Sequence, residues 1–190
     1  MKKISIVIPA LNERSGIEET VKAIPKNELQ TMGYEVQILV VDNGSVDGTG
    51  EAARKAGAEL IVEHTRGYGI AYKAGFAQAS GEIITTIDAD GTYPVEDIPR
   101  LVKILEQENL DFLFGNRFGL MQPGAMSFQN KLGNTILSFA VMVLFQIRMR
   151  DPESGMWVFR SSILEKTRLN SDHWPFSHEL KLEACYYNRC

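Results

Sequence analysis

Five short apolar runs set the frame for this chain: Ile4 to Ile8, Val36 to Val41, Glu59 to Val62, Ile83 to Ile87 and Phe112 to Phe114. They are mostly β-branched, their starts fall a few tens of residues apart, and helix-patterned stretches lie between them. Parallel strands cannot be joined by a tight turn and need a crossover of this kind. The chain therefore reads as α/β, with a mostly parallel central sheet flanked by helices, and as a single domain over residues 1–190.

The ends of the helices are marked. Ser15 and Glu18 have capping-box spacing ahead of Ile17, Val21 and Ile24, which share one helical face, and Pro25 is expected to stop that helix. Gly57 and Gly81 follow the second and third helices, where a left-handed residue is wanted, and Pro94 suits the first turn of the fourth. Ile98, Leu101, Val102 and Leu105 give the fourth helix a buried face. After Gly115 the rhythm is lost in a Gly/Pro/Met-rich stretch from Phe118 to Met126, an apolar run from Ile136 to Phe145, and Asp151 to Phe159. The pattern from Ser177 to Tyr187 is helical and no closing strand follows it, so the chain reads as truncated at its C-terminus.

With 44% apolar and 23% charged residues, 190 residues suffice for one domain with a real core. A net charge of -4 argues against nucleic acid as partner, yet leaves a nucleotide ligand open. Cys185 and Cys190 show neither a disulfide framework nor metal-ligand spacing and read as free thiols. Met1-Lys2-Lys3 runs straight into a strand pattern without a signal peptide, so a cytoplasmic location is expected. The run from Ile136 to Phe145 is shorter than the roughly 20 residues of a spanning helix. It reads as a buried helix, or as one that borders a lipid substrate or makes peripheral contact with the membrane face.

The chemistry concentrates where strands end. Ile83 to Ile87 runs into Asp88-Ala89-Asp90, and alternate residues of an extended chain share a face. Both carboxylates can then point into the crevice beyond the strand's C-terminal end, where α/β sheets bind ligands. Two hard oxygen donors suit Mg²⁺ or Mn²⁺, which keeps several waters and takes up substrate phosphates. A solvated turn is the plainer reading of such a pair, but its place after a buried strand favours the metal site. Leu39 to Val41 runs likewise into Asp42-Asn43-Gly44-Ser45-Val46-Asp47-Gly48-Thr49. Asp42 can accept hydrogen bonds from a base or ribose, while Ser45 and Asp47 also read as helix caps. Glu13, after Ile8-Pro9-Ala10-Leu11-Asn12, brings a third acid to the same edge, either for a ligand or for the helix dipole. Thr65-Arg66-Gly67-Tyr68-Gly69 opens a helix, so its amides and Arg66 can face a phosphate.

Taken in order, Ile8-Pro9-Ala10-Leu11-Asn12-Glu13, Val41 to Thr49, Arg66-Gly67-Tyr68-Gly69 and Asp88-Ala89-Asp90 resemble the motifs of family 2 glycosyltransferases with the GT-A fold. Gly115-Asn116-Arg117-Phe118, Asn130-Lys131-Leu132-Gly133-Asn134 and Asp151-Pro152-Glu153-Ser154-Gly155 look like later landmarks of the dolichyl-phosphate mannose or glucose synthase branch. The resemblance covers nearly the whole chain. It implies transfer of a hexose from a GDP- or UDP-sugar to a polyprenyl or dolichyl phosphate, with a divalent metal and usually with inversion. On that pattern Pro9, Ala10, Glu13 and Asp42 line the nucleoside pocket, Asp88 and Asp90 hold metal and diphosphate, and Arg117 and Lys131 hold phosphates. Two positions depart from it: Asn43 replaces the second acid of the usual pair, and Thr92 stands where some lipid-phosphate synthases carry a metal-binding glutamine.

The acceptor divides the chemistry. A phosphate monoester is already ionised near neutral pH and needs cations, for which Arg117, Lys131 and Arg160 are candidates. A sugar or small-molecule hydroxyl needs a general base, for which Asp151 is the candidate. Glu153 and Glu179 read as surface or helix-face residues. Two other classes fit parts of the pattern. Asp88-Ala89-Asp90-Gly91-Thr92 matches the nucleophile motif of haloacid dehalogenase phosphatases, though without the later paired acids of that family. A sugar-nucleotide sensor on the same fold would share every binding motif.

Overall fold

The computed structural model describes residues 1–115 and 154–187, with Gly133, Met142, Val143, Phe145 and Cys190. The central strand, β1 (Lys2–Ala10), is apolar on both sides. Ile4, Ile6 and Ile8 enter one core layer and Val7 the other. Such burial is what a sheet covered by helices on both faces requires. Parallel partners flank it, β2 (Tyr34–Asp42) on one side and β4 (Ile83–Thr86) on the other, and β3 (Glu59–Val62) pairs in parallel with β2. The sheet continues through β6 (Trp157–Arg160), antiparallel to β4, to β5 (Phe112–Phe114), giving the order β3-β2-β1-β4-β6-β5.

Helices cover both faces. On one side α1 (Arg14–Ala23), α2 (Lys26–Thr31), α3 (Thr49–Lys55) and α5 (Ile98–Gln107) set Ile17, Val21, Leu29, Ala53 and Leu105 against the Ile4 face of β1. On the other, α4 (Tyr68–Gln78) and α7 (Pro175–Tyr187) bring Tyr72, Phe76, Phe176 and Leu180 against Val7, Val41 and Trp157, while the short α6 (Ile163–Lys166) adds Ile163. The expected face of α5 is the buried one: Ile98, Leu101, Val102 and Leu105 all lie in the core. No helix among the described residues is long and apolar enough to cross a membrane.

The α/β class with its mostly parallel sheet is as expected, and five local points are corrected. Strand β6 was not anticipated, because a four-residue run with no polar alternation carries no period of its own. Ser15 and Glu18 do not form a capping box: α1 begins at Arg14, so Ser15 lies inside it, and Glu18 pairs with Lys22 instead. Pro25 not only follows α1 but starts α2, a second short helix. Gly57 is left-handed at φ 93°, as expected, but Gly81 is not; there a Cβ would meet the Ser5 amide nitrogen at 2.6 Å. Gly81 therefore allows close approach to β1 and does not cap α4, whose C-cap is Ala79. Pro94 precedes a 3₁₀ turn, Val95–Asp97, and it is Pro99 that occupies the first turn of α5.

Candidate active site

The chain passes from β1 to β2 and β3 on one side of the sheet, then returns to β4 on the other. Where neighbouring strands depart in opposite directions their C-terminal ends leave a crevice. A cavity of roughly 380 Å³ opens there, lined from β1 by Pro9, Ala10, Leu11 and Glu13, and from the end of β4 by Asp88, Ala89 and Asp90. Arg66, Gly67, Tyr68 and Ala71 close one side with Asn43, and Trp174 stands at the rim.

The aspartate turn is held from three directions. Helix α1 runs so close that a Cβ on Gly16 would meet the Ala89 carbonyl oxygen at 2.8 Å, and Thr20 Oγ1 donates to that oxygen at 3.3 Å. Thr92 donates to Asp90 Oδ1 through its amide at 3.0 Å and its hydroxyl at 2.7 Å. Thr92 thus orients Asp90, with both bonds on one carboxylate oxygen. Asp88 rests on Gly155, where a Cβ would lie 3.1 Å from either carboxylate oxygen.

That glycine belongs to a turn pinned by four side chains. Thr86 Oγ1 donates to Gly155 O at 2.7 Å, and Gly155 N donates to the Tyr93 hydroxyl at 2.6 Å. Ser154 O accepts from the Trp157 indole at 2.6 Å and from Lys181 Nζ at 2.7 Å. Lys181 is fully buried, lies over the Trp157 ring at 5.5 Å and also donates to Ser177 Oγ. Neither Lys181 nor Tyr93 was anticipated. A lysine in an amphipathic helix reads as surface, and only the packing of α7 makes it internal.

On the other flank, the β1–α1 and β2–α3 loops are tied together. Asn12 N donates to Ser45 Oγ, Val46 N to Asn12 Oδ1, Glu13 N to Thr49 Oγ1 and Arg14 N to Asp47 Oδ2, all within 2.9–3.1 Å. Asp47 therefore serves both α3, through Thr49 N, and the first turn of α1. Asp47 follows the capping reading, with α1 capped across the gap between loops, whereas the Ser45 hydroxyl serves the loop amide of Asn12, outside either helix. The Thr49 hydroxyl holds the Asp47 carboxyl below its ordinary range against desolvation, with the Arg14 and Thr49 amides adding to the lowering.

Of the residues expected to bind ligand, Pro9, Ala10, Glu13, Arg66, Asp88 and Asp90 meet around the cavity. Asp42 does not line it: its Oδ1 accepts from Ser45 N at 2.8 Å, and its Oδ2 faces Gly50, where a Cβ would lie 2.8 Å away. Arg117, Lys131 and Asp151, like Glu153 and most of the run from Ile136 to Phe145, lie outside the described residues. Arg160 is turned away from the cavity, donating to Leu110 O and facing Asp111 on the far side of the sheet.

The phosphate reading of the Gly67–Gly69 amides is corrected. Gly67 N donates to Asn43 Oδ1 at 2.8 Å, while Gly69 N and Ile70 N donate to Asp172 O at 2.9 and 3.3 Å. These glycines instead let the backbone at Ser171 and Asp172 pass, since a Cβ on Gly67 would meet Asp172 O at 2.5 Å. Asn43, noted only as a departure from a pattern, is the clamp of this loop. Its amide nitrogen donates to Glu63 O at 3.2 Å and Thr65 O at 2.7 Å, a task no carboxylate can perform.

Comparison with known proteins gives the family and the fold. The family described as "Glycosyl transferase family 2" matches residues 5–168. The chain is 33% identical over 95% of its length to a low-salt glycan biosynthesis hexosyltransferase of Haloferax volcanii, covering 44% of that protein. It is 32% identical over 97% of its length to a dolichol-phosphate mannosyltransferase of Pyrococcus furiosus, covering 53% of it. It thus spans about half the length of these curated relatives. Among solved structures, glucosyl-3-phosphoglycerate synthase from Mycobacterium tuberculosis, in complex with phosphoglyceric acid, superposes with a TM-score of 0.76 at 22% identity, covering 96% of this chain and 68% of that one. At that identity the likeness speaks for the fold.

Proposed function

The chain belongs to glycosyl transferase family 2, and on that premise we propose that it transfers a hexose from a GDP- or UDP-sugar to a polyprenyl phosphate, with inversion at the anomeric carbon. The observation that carries this reading is the meeting of Asp88 and Asp90 with Glu13 and Arg66 around one cavity at the switch point of the sheet. Relatives named as a dolichol-phosphate mannosyltransferase in Pyrococcus furiosus and an undecaprenyl-phosphate 4-deoxy-4-formamido-L-arabinose transferase in Salmonella paratyphi B support the lipid-phosphate acceptor.

The donor set fits a divalent cation of the Mg²⁺ or Mn²⁺ kind. Asp88 and Asp90 supply two hard oxygens on one wall of the cavity. That suits an ion completed by water and substrate phosphate rather than a closed protein cage. When bound, the cation would neutralise charge gathering on the departing diphosphate.

In the reaction, an acceptor phosphate oxygen bonds to the anomeric carbon as the bond from that carbon to the diphosphate breaks, and the nucleoside diphosphate leaves with the electron pair. The chain's residues orient and stabilise without taking a proton, because the acceptor is already ionised. Arg66 lines the same cavity, and Arg117 and Lys131 are assigned to the two phosphate groups on the strength of the motif resemblance. Asp151 is the base in the version of the reaction that uses a hydroxyl acceptor.

The test is transfer from GDP-mannose and UDP-glucose to a short polyprenyl phosphate with Mn²⁺. The expected product is a lipid-phosphate sugar, and Asp90→Ala should lower turnover by about 10²–10³-fold while the fold stays intact. Transfer to a sugar hydroxyl that requires Asp151, with no product on any polyprenyl phosphate, would overturn the acceptor assignment.

A further inference from the structure

We propose that Tyr68 and Trp174 form a stacking platform for the nucleobase of the donor, an inference that rests on the nucleotide-sugar reading above. Trp174 is 74% exposed, an unusual place for the largest apolar side chain, and it stands at the rim of the cavity. Its ring is nevertheless packed on one neighbour: it stacks on Tyr68, with centroids 4.5 Å apart and planes 18° from parallel. Tyr68 in turn meets the buried Tyr72 edge-on at 4.9 Å, so the pair is braced from the core.

The backbone that presents Trp174 is equally fixed. Asp172 O accepts the Gly69 and Ile70 amides, the Asp172 carboxylate pairs with Lys73, and Glu179 accepts the Asn170 and Ser171 amides at 2.9 and 2.8 Å. An aromatic face held open in advance spends little conformational entropy when a ligand covers it.

A sugar nucleotide has three parts, and the cavity distinguishes them. The diphosphate requires positive charge or a cation, which Asp88 and Asp90 can hold at the end of β4. The hexose presents hydroxyls around its rim. The base alone combines a flat π face with carbonyl and ring-nitrogen acceptors at its edge. Arg66 shares this rim; its Nη2 donates to Gly44 O at 3.2 Å, and its guanidinium carries further donors suited to such an edge. Stacking is tolerant of base identity, so the platform accepts uracil or guanine, the larger ring more strongly.

Calorimetry with GDP, UDP, pyrophosphate and a hexose 1-phosphate, each with Mn²⁺, tests the assignment on wild type, Trp174→Ala and Trp174→Phe. The expected result is a loss of GDP and UDP affinity of about 5- to 150-fold in Trp174→Ala, equivalent to ~1–3 kcal/mol, with pyrophosphate unchanged and most affinity kept by Trp174→Phe. Because the other tryptophan, Trp157, is fully buried, GDP should also quench the exposed Trp174 emission. The proposal is overturned if Trp174→Ala binds both nucleotides as wild type does. It is equally overturned if the hexose 1-phosphate loses affinity while the nucleotides do not. Failure of folded wild type to bind either nucleotide would bring down the nucleotide-sugar reading itself, and is distinguishable from both.

Discussion

Asn43 shows how much one side chain can decide. It is 6% exposed, and its amide spans the ends of β2 and β3, donating to two carbonyls and accepting the Gly67 amide. An aspartate there keeps the acceptor but turns an anionic oxygen on the carbonyls of Glu63 and Thr65. Asn43→Asp should therefore cost about 1–3 kcal/mol of stability in urea unfolding, the range for a buried donor lost from its partners. It should also weaken nucleotide binding through the displaced Arg66–Tyr68 loop, whereas Asn43→Gln should not restore either. Equal stability of the aspartate variant at neutral pH would show that the clamp is dispensable. From sequence this position is visible only as a substitution for an acid; its partners lie 20 to 24 residues away and appear only when the loop is folded back.

At the scale of elements, the segment before α7 docks on the N-terminus of α4, and two measurements probe it. A methyl at Gly69 would overlap the Ser171 carbonyl, so Gly69→Ala should push the segment off and cost roughly 1–3 kcal/mol, as overpacking does. Faster exchange of the Gly69 and Ile70 amides, whose acceptor is Asp172 O, reports the same event. The second lever is pH. Burial raises the Glu179 carboxyl, but the amides of Asn170 and Ser171 outweigh it and hold the group below its ordinary 4.5. A depressed folded value means that its stabilisation is complete above 4.5 and is lost as pH falls through the lowered value. Acidification should therefore free the segment and shift the emission of Trp174 in wild type, and much less in Glu179→Gln. An identical acid profile in the two proteins would separate Glu179 from the transition. The glycine spacing of this helix start was legible, but its purpose was not, because GxG serves a phosphate or a passing backbone equally well.

Across the whole molecule, one sheet joins both core layers, and Trp157 on β6 is where the second layer meets the aspartate turn. Its ring is fully buried, lies 4.9 Å from Tyr72, and bonds to the Ser154 carbonyl. Trp157→Ala should cost about 3–5 kcal/mol in denaturant unfolding and loosen the Gly155 turn beneath Asp88; a loss below 1 kcal/mol would show that the turn stands without it. The chain's β-branched runs determined four parallel strands and the helices between them, because period and burial are local properties of sequence. They also determined that Glu13 and Asp90 would share an edge, since parallel strands bring their C-terminal ends to one side. Tertiary structure alone decided the rest. It inserted β6 antiparallel between β4 and β5. It drew Lys181 inward and set Trp174 against Tyr68 across more than a hundred residues of chain. Those placements depend on contacts between segments far apart in sequence, whose strength is set by packing and hydrogen-bond geometry that no local pattern records.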